Sequence, residues 1–168
     1  PMQPKTVLKE ALKLLRASIP ATIDIQSHIE SDAAILAEPT QIHQVAMNLF
    51  TNAVHAIGEK TGTVRLELMD FFVDEEFIRT HPDVNPGRHV LLRISDTGDG
   101  MPPEIREKVF EPFFTTKAPG EGTGLGLSIS YGIVTRCGGD LSLQSGEQGG
   151  TTCFITLPPA QGEEKEDA

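Results

Sequence analysis

The sequence has no apolar run long enough to cross a membrane and no paired cysteine motif. A membrane span needs about 20 consecutive apolar residues, whereas hydrophobic residues make up 38% of this chain and are interspersed with charged residues, which make up 23%. This composition is typical of a globular domain, and 168 residues are enough for one core. We expect one domain over residues 1–160 and a disordered acidic tail over 161–168.

Positive charge is also scarce. The formal net charge is −10, and we expect no basic cluster along one face, which argues against nucleic acid as a partner. A nucleotide is not excluded, because Mg²⁺ and backbone N–H groups can offset phosphate charge locally. Cys137 and Cys153 form no CxxC pair, so we expect two buried thiols in a reducing compartment. The start, PMQPKTVLKEALKLL, predicts an amphipathic helix and not a signal peptide, as in a segment cut from a longer protein.

Hydrophobic periodicity and the positions of proline and glycine divide the chain into helices and strands. The predicted helices are 5–18, 39–57, 102–110 and 124–137. The predicted strands are 21–29, 64–73, 89–95, 140–145 and 151–157, with a loop over 75–88. Strands separated only by turns are antiparallel neighbours. We therefore expect an α+β fold, a two-layer sandwich of a mixed, mostly antiparallel sheet with helices on one face.

Two asparagines lie one turn apart in the helix predicted over 39–57. Asn48 and Asn52 share one helical face, and His55 lies close to it. Amide oxygens suit Mg²⁺, which takes its other ligands from water and phosphates. Most asparagines on helices are plain surface residues, but these two interrupt an otherwise apolar pattern, so we favour a functional role.

A carboxylate followed by two glycines ends the strand predicted over 89–95. Asp96 could accept a hydrogen bond from an exocyclic amine such as that of adenine, while Gly98 and Gly100 allow a flat ring to approach the backbone. An aspartate with turn glycines is also a common structural turn. The DTGDGM motif alone leaves these two interpretations open.

Two further segments complete the pattern. FEPFFTTK (110–117) can anchor a loop through its phenylalanines and leave Lys117 free to reach phosphate oxygens. GEGTGLGL (120–127) leads into a helix, whose first N–H groups can bind phosphate. A hydrophobic patch and a flexible surface loop are the alternative interpretations.

Several other nucleotide, metal and nucleophile motifs are absent from the sequence. No lysine follows the glycines as in a P-loop, and no GxGxxG or G-x-S-x-G occurs. The five histidines and two cysteines show no metal-ligand spacing.

Together these segments resemble the ATP-binding catalytic domain of two-component sensor histidine kinases, whose ATPase fold is shared with DNA gyrase, mismatch-repair ATPases and heat-shock chaperones. QVAMNLFTNAVHAI is similar to the N box of that family, DTGDGM to its G1 box, FEPFFTTK to its F box and GTGLGLSI to its G2 box. The resemblance covers residues 5–158. The FTTK segment is most similar to that of sensor kinases of the nitrogen-regulation type.

The resemblance implies a role for each matching residue. Asn52 would ligate Mg²⁺, Asn48 would assist at the phosphates, and Lys117 would approach the terminal phosphate; these three are the implied catalytic residues. Asp96 would bind the adenine amine, supported by Thr152. The other implied nucleotide contacts are His55, Gly98, Gly100, Met101, Thr116, Gly122, Thr123, Gly124, Leu125 and Gly126.

The resemblance also implies a transfer reaction and its partners. Hydrolytic members have a glutamate as general base where this chain has Asn48, so slow hydrolysis and phosphoryl transfer are expected. No histidine here has the sequence context of the family's phosphoacceptor, which lies on a helical hairpin. The implied partners are ATP, a separate dimerisation/phosphoacceptor domain and a response regulator receiver domain. We expect a cytoplasmic, monomeric fragment of a homodimeric parent, which can be membrane-anchored.

Two other functions remain open. An anti-sigma-type serine kinase shares the implied fold, although the FEPFFTTK wording counts against it. A non-catalytic nucleotide-binding interaction module is disfavoured by the complete set of boxes.

Overall fold

The structure is a computed structural model that describes residues 1–100, 103–106, 108, 126–146 and 149–160. Within these residues, helices and strands follow one another in the order α1 (Pro4–Ser18), β1 (Ile23–Ile29), α2 (Pro39–Ile57), β2 (Gly62–Val73), α3 (Glu75–Thr80), β3 (Gly87–Asp96), α4 (Pro103–Arg106), α5 (Gly126–Arg136), β4 (Asp140–Ser145) and β5 (Thr151–Leu157).

The strands form one five-stranded sheet in the order β1-β2-β3-β5-β4. β1 runs parallel to β2, and the other three pairings are antiparallel. The expected mixed, mostly antiparallel sheet is therefore confirmed. No described helix is both long and apolar enough to cross a membrane.

A layer of helices covers one face of this sheet. α2 contacts α1, α5, β2 and β3, so it is the central helix of the layer. Its apolar residues repeat at helical spacing and pack on the alternate residues Val64, Leu66 and Leu68 of β2, all nearly inaccessible to solvent. The two-layer α+β fold predicted from periodicity is confirmed.

α2 has defined ends because of two residues. Pro39 occupies its first turn, where a missing N–H group costs nothing. Gly58 ends the helix with φ of 65°, and its N–H donates to the Val54 carbonyl. These two residues fix where the helix that carries both asparagines begins and ends.

The loop predicted over 75–88 was wrong, because it contains the helix α3. Asp74 caps α3 by accepting a hydrogen bond from the Phe77 N–H at 2.8 Å. The Phe77 ring lies 5.3 Å from that of Phe71 and stacks on His81 at 4.1 Å. His81 in turn lies 3.7 Å from the Asp140 carboxylate. A helix of six residues shows too little periodicity to be recognised, and tertiary contacts stabilise it.

The other predicted bounds differ by a few residues. β2 begins at Gly62 because parallel pairing with β1 reaches Ile23, and β3 begins at Gly87 because its pairing with β2 reaches Val73. The prediction of a helix over 102–110 is matched over Pro103–Arg106, and most of its other residues lie outside the described part.

One face of α1 carries several lysines, although no basic cluster along one face was expected. Lys5, Lys9 and Lys13 lie four residues apart and so form a row along α1, with Lys5 paired to Asp32 at 2.8 Å. The row is short, and the net charge of the chain, which includes these lysines, is −10.

The thiols are only partly as expected. Cys153 is buried in the core, and burial raises the pKa of its thiol to about 12. Cys137 is half-buried at the end of α5, and both cysteines are free.

Candidate functional site

One stripe of α2 organises the site. Asn48, Asn52 and Ala56 follow one another at intervals of four residues, so they lie on one face, and all three are half-buried. At a rise of about 1.5 Å per residue, the stripe is about 12 Å long. α5 lies at its Asn48 end, and the turn after β3 lies at its Ala56 end.

At the first end, Asn48 contacts the start of α5. Its amide nitrogen lies 3.3 Å from the Gly126 carbonyl oxygen and 3.4 Å from the Ser130 hydroxyl, so it donates to both. Ser130 is fully buried and donates to the same Gly126 carbonyl at 2.8 Å. The beginning of α5 is thereby held against α2.

At the other end, the Asp96 carboxylate is held by backbone groups. The Gly98 N–H donates to its Oδ1 at 2.9 Å, and the Thr151 N–H also donates to it. Burial raises the pKa of the Asp96 carboxyl above its ordinary value, and these two N–H groups oppose that rise. A half-buried carboxylate held in this way can accept a hydrogen bond from an amine.

The glycine turn packs against α2 and the β4–β5 turn. A Cβ atom on Gly98 would lie 2.6 Å from the Ala56 carbonyl carbon and oxygen. Gly100 has φ of 76°, and its Cβ would lie 3.0 Å from the Gly150 carbonyl oxygen. Both glycines therefore allow a close approach of backbone to backbone. The approach of a flat ring to this turn, which the sequence predicted, stays a prediction.

Thr152 does not lie beside Asp96. In the register of β3 and β5, Asp96 is opposite Thr151, and Ser95 is opposite Thr152. Successive residues of a strand point to opposite faces, so Thr152 lies on the other face of the sheet from Asp96. The assignment of Thr152 as the supporting residue is corrected to Thr151.

The remaining expected contacts divide into two groups. Asn52 is half-buried and His55 is exposed, both on α2 within one turn of each other, and Gly126 begins α5. The residues outside the described part are Met101, Thr116, Lys117, Gly122, Thr123, Gly124 and Leu125.

The side-chain oxygens of this site suit a metal ion that is bound together with a nucleotide. In the described ranges, no group of three or more His, Cys, Asp or Glu side chains could hold a metal ion. The α2 stripe offers instead the neutral amide oxygens of Asn48 and Asn52. This donor set fits Mg²⁺ that takes most of its ligands from phosphates and water.

Two residues of the site were missed in the sequence. Thr151 could have been found, because Cys153, Ile155 and Leu157 face the core and the alternation places Thr151 on the same face. Ser130 gave no signal, since a serine within an apolar helix is uninformative without its neighbours.

A comparison with protein families matches residues 37–161 to the family described as histidine kinase-, DNA gyrase B- and HSP90-like ATPases. The match spans α2 to β5 and so includes the whole α2 stripe, the Asp96 turn and the start of α5.

Similar curated proteins are sensor kinases. The chain is 39% identical over 133 residues to the sensor kinase CckA of Brucella abortus, which covers 79% of this chain and 14% of CckA. It is 36% identical over 124 residues to the sensor histidine kinase ZraS of Salmonella typhimurium, covering 74% of this chain and 23% of ZraS. The chain thus spans less than a quarter of the length of either relative.

The fold agrees with a solved structure of the same kind. The catalytic domain of histidine kinase ThkA superposes with a TM-score of 0.74 at 29% identity, covering 94% of this chain and 93% of that one. From the matched residues, the fold and the site together, the chain belongs to the histidine kinase-, DNA gyrase B- and HSP90-like ATPase family.

Proposed function

We propose that this domain binds MgATP and transfers its γ-phosphoryl group to a histidine on a separate dimerisation/phosphoacceptor domain, in two-component signalling. The observation that carries the proposal is the α2 stripe, which joins the Asp96 turn to the start of α5. In this proposal, the Asp96 end of the stripe binds the adenine of ATP and the α5 end binds its phosphates.

Adenine would bind at the Asp96 end. The carboxylate is fixed by the N–H groups of Gly98 and Thr151, so an amine that donates to it meets an acceptor already in place. Gly98 and Gly100 allow the turn to pack against Ala56 and Gly150, which keeps the Asp96 carboxylate in place for the amine.

The phosphates would bind at the α5 end. The first N–H groups of a helix attract anions, and α5 begins beside Asn48. Asn52 would hold the Mg²⁺ that accompanies the phosphates, with Asn48 and His55 near them. Lys117, Thr116 and the glycines of 120–126 would add contacts, as the family resemblance implies.

Transfer is favoured over hydrolysis because Asn48 cannot act as a base. Its amide nitrogen donates to Gly126 and Ser130, and an amide does not take a proton from water. In the transfer, the bond from the γ-phosphorus to its bridging oxygen breaks and a phosphorus–nitrogen bond forms to the imidazole. ADP leaves, and the imidazole loses a proton to solvent.

The relatives named sensor kinase and sensor histidine kinase support this reaction. The phosphoacceptor hairpin on a separate domain is what the family resemblance implies. We further propose that the parent is a homodimer that passes the phosphoryl group to a response regulator receiver domain in the cytoplasm. The FEPFFTTK motif supports assigning the parent to the nitrogen-regulation type of sensor kinase.

Transfer in trans tests the proposal. The purified chain, γ-labelled ATP and Mg²⁺ are mixed with the parent's hairpin domain, and acid-labile label on the hairpin is measured. A hairpin without its histidine is the control and stays unlabelled. Label on a serine would favour the serine kinase instead, and ATP binding without any transfer would favour a non-catalytic module.

A further inference from the structure

A closed set of hydrogen bonds links the start of α5 to α2. Ser130 donates to the Gly126 carbonyl at 2.8 Å, and Asn48 donates to both Gly126 and Ser130 at 3.3 and 3.4 Å. We refer to Asn48, Gly126 and Ser130 as the α2–α5 clasp.

Ser130 is the buried member of this clasp. Its exposed fraction is 0%, so its hydroxyl has no access to solvent and depends on the clasp for partners. A hydroxyl can donate one hydrogen bond and accept others, and here it does both. An alanine at this position would fill nearly the same space without either bond.

Hydrogen bonds, and not tight packing, hold the two helices together at the clasp. A Cβ atom added to Gly126 would lie 3.7 Å from Cγ of Asn48, an ordinary van der Waals distance, so a methyl group would fit there. The start of α5 is therefore positioned by the bonds of Asn48 to Gly126 and Ser130, and a change in the Asn48 rotamer would break them.

We propose that Ser130 is a positioning residue: through Asn48 it sets where the start of α5 lies relative to α2, and thereby how well the site holds the phosphates. This inference rests on the proposed function, since it assumes that phosphates bind at α5. Adenine recognition at Asp96 lies at the other end of the α2 stripe and is unaffected.

The test compares two ligands that differ only in the phosphates. Adenosine and MgATP are titrated into the wild-type chain and into Ser130→Ala. For each protein, the Kd for adenosine is divided by the Kd for MgATP. Loss of one hydrogen bond of about 1 kcal/mol predicts that ATP binding weakens about fivefold. The Kd for adenosine stays the same, so the ratio falls by the same factor. General destabilisation would weaken both ligands and leave the ratio unchanged.

The matched control is Thr135→Val on the same helix. The Thr135 hydroxyl donates to the carbonyl four residues earlier, that of Tyr131, at 2.9 Å, as Ser130 does to Gly126. The Thr135 hydroxyl donates to carbonyls of its own helix, those of Tyr131 and Gly132, so its removal should leave both Kd values at the wild-type level. Ser130→Cys, with a similar shape and only a weak donor, is a second variant that should lower the ratio in the same direction.

A double-mutant cycle tests the route through Asn48. If Ser130 acts through Asn48, Ser130→Ala should have little further effect on ATP affinity in an Asn48→Ala background. Additive effects would overturn the inference, as would an unchanged ratio in both Ser130 variants. If the wild-type chain bound neither adenosine nor ATP, the proposed function itself would fail.

Discussion

Gly98 lies so close to Ala56 that a Cβ atom at position 98 would come within 2.6 Å of the Ala56 carbonyl carbon and oxygen. The Asp99 N–H also points to that carbonyl, at 3.4 Å. The end of α2 is therefore the surface against which the Asp96 turn is formed.

Gly98→Ala should displace this turn. The added methyl meets backbone and not a flexible side chain, so we expect a loss of about 1–3 kcal/mol in the free energy of unfolding. Adenosine affinity should fall as well, because Gly98 also donates to the Asp96 carboxylate. Urea denaturation and titration calorimetry measure the two effects.

Gly132→Ala is the matched control for that substitution. A Cβ atom on Gly132 meets nothing within 4 Å, and the residue lies inside α5. Alanine favours a helix over glycine by about 1 kcal/mol, so this variant should be more stable and bind adenosine normally. Equal effects of both substitutions would contradict the proposed contact with Ala56.

Asp96→Asn should separate binding from stability. ATP affinity should fall about tenfold or more, since hydrogen bonds to charged groups contribute about 1.5–3 kcal/mol. Stability at neutral pH should rise, because burial raises the pKa of Asp96 and its ionised form is costly to bury.

The pH dependence of that stability has a definite sign. Because the folded-state pKa is raised, protonated Asp96 contributes to the free energy of unfolding. That contribution is fully present below the ordinary pKa of about 3.9 and is lost as pH rises through the folded-state pKa. The advantage of Asp96→Asn should therefore grow across that window and level off above it. Urea denaturation of both proteins between pH 3.5 and pH 7 provides the comparison, and a constant difference would be inconsistent with a raised pKa.

Thr151→Val and Thr152→Val distinguish the two threonines. Thr151 lies opposite Asp96 on the same face, and its N–H donates to the carboxylate, so replacing its hydroxyl should weaken adenosine binding by up to about fivefold. Thr152 lies opposite Ser95 on the other face, and its replacement should leave binding unchanged. The reverse result, measured by the same titration, would restore the original assignment of Thr152.

The outer face of the sheet offers a stability test away from the site. Arg93 pairs with Glu67 on the neighbouring strand, and its hydrogen bond lowers the pKa of the Glu67 carboxyl. Arg93→Gln should reduce stability at neutral pH by up to about 1 kcal/mol, as for partly exposed ion pairs. Because the folded-state pKa of Glu67 is lowered, its carboxylate stabilises the fold at pH values above its ordinary pKa. This stabilisation is lost as pH falls through the folded-state pKa.

The difference between Arg93→Gln and wild type should therefore shrink in acid, and denaturation curves at pH 7 and pH 3 check this. ATP affinity at pH 7 should be unchanged, because neither residue touches the α2 stripe. A difference that stayed constant with pH would show that packing of the Arg93 stem, and not its charge, stabilises the sheet.

The sequence by itself determined the features that depend on neighbours along the chain. Helical periodicity predicted α1, α2 and α5. Apolar patterning together with the positions of glycine and proline predicted every strand of the sheet to within two residues at either end. The four-residue spacing of Asn48 and Asn52 placed them on one face, and the end of β3 placed Asp96 at the edge of the core. These patterns are local because a helix or strand repeats its geometry every few residues.

Only the tertiary structure decided which residues meet across the site. Asn48 and Ser130 are 82 positions apart in sequence, so no local pattern relates them. Alternation along β5 places Thr151 on the core face, but its pairing with Asp96 depends on strand register, because a shift of one residue turns every side chain to the other face. α3 likewise follows from contacts of Phe77 with Phe71, since a helix of six residues is too short to be stable alone.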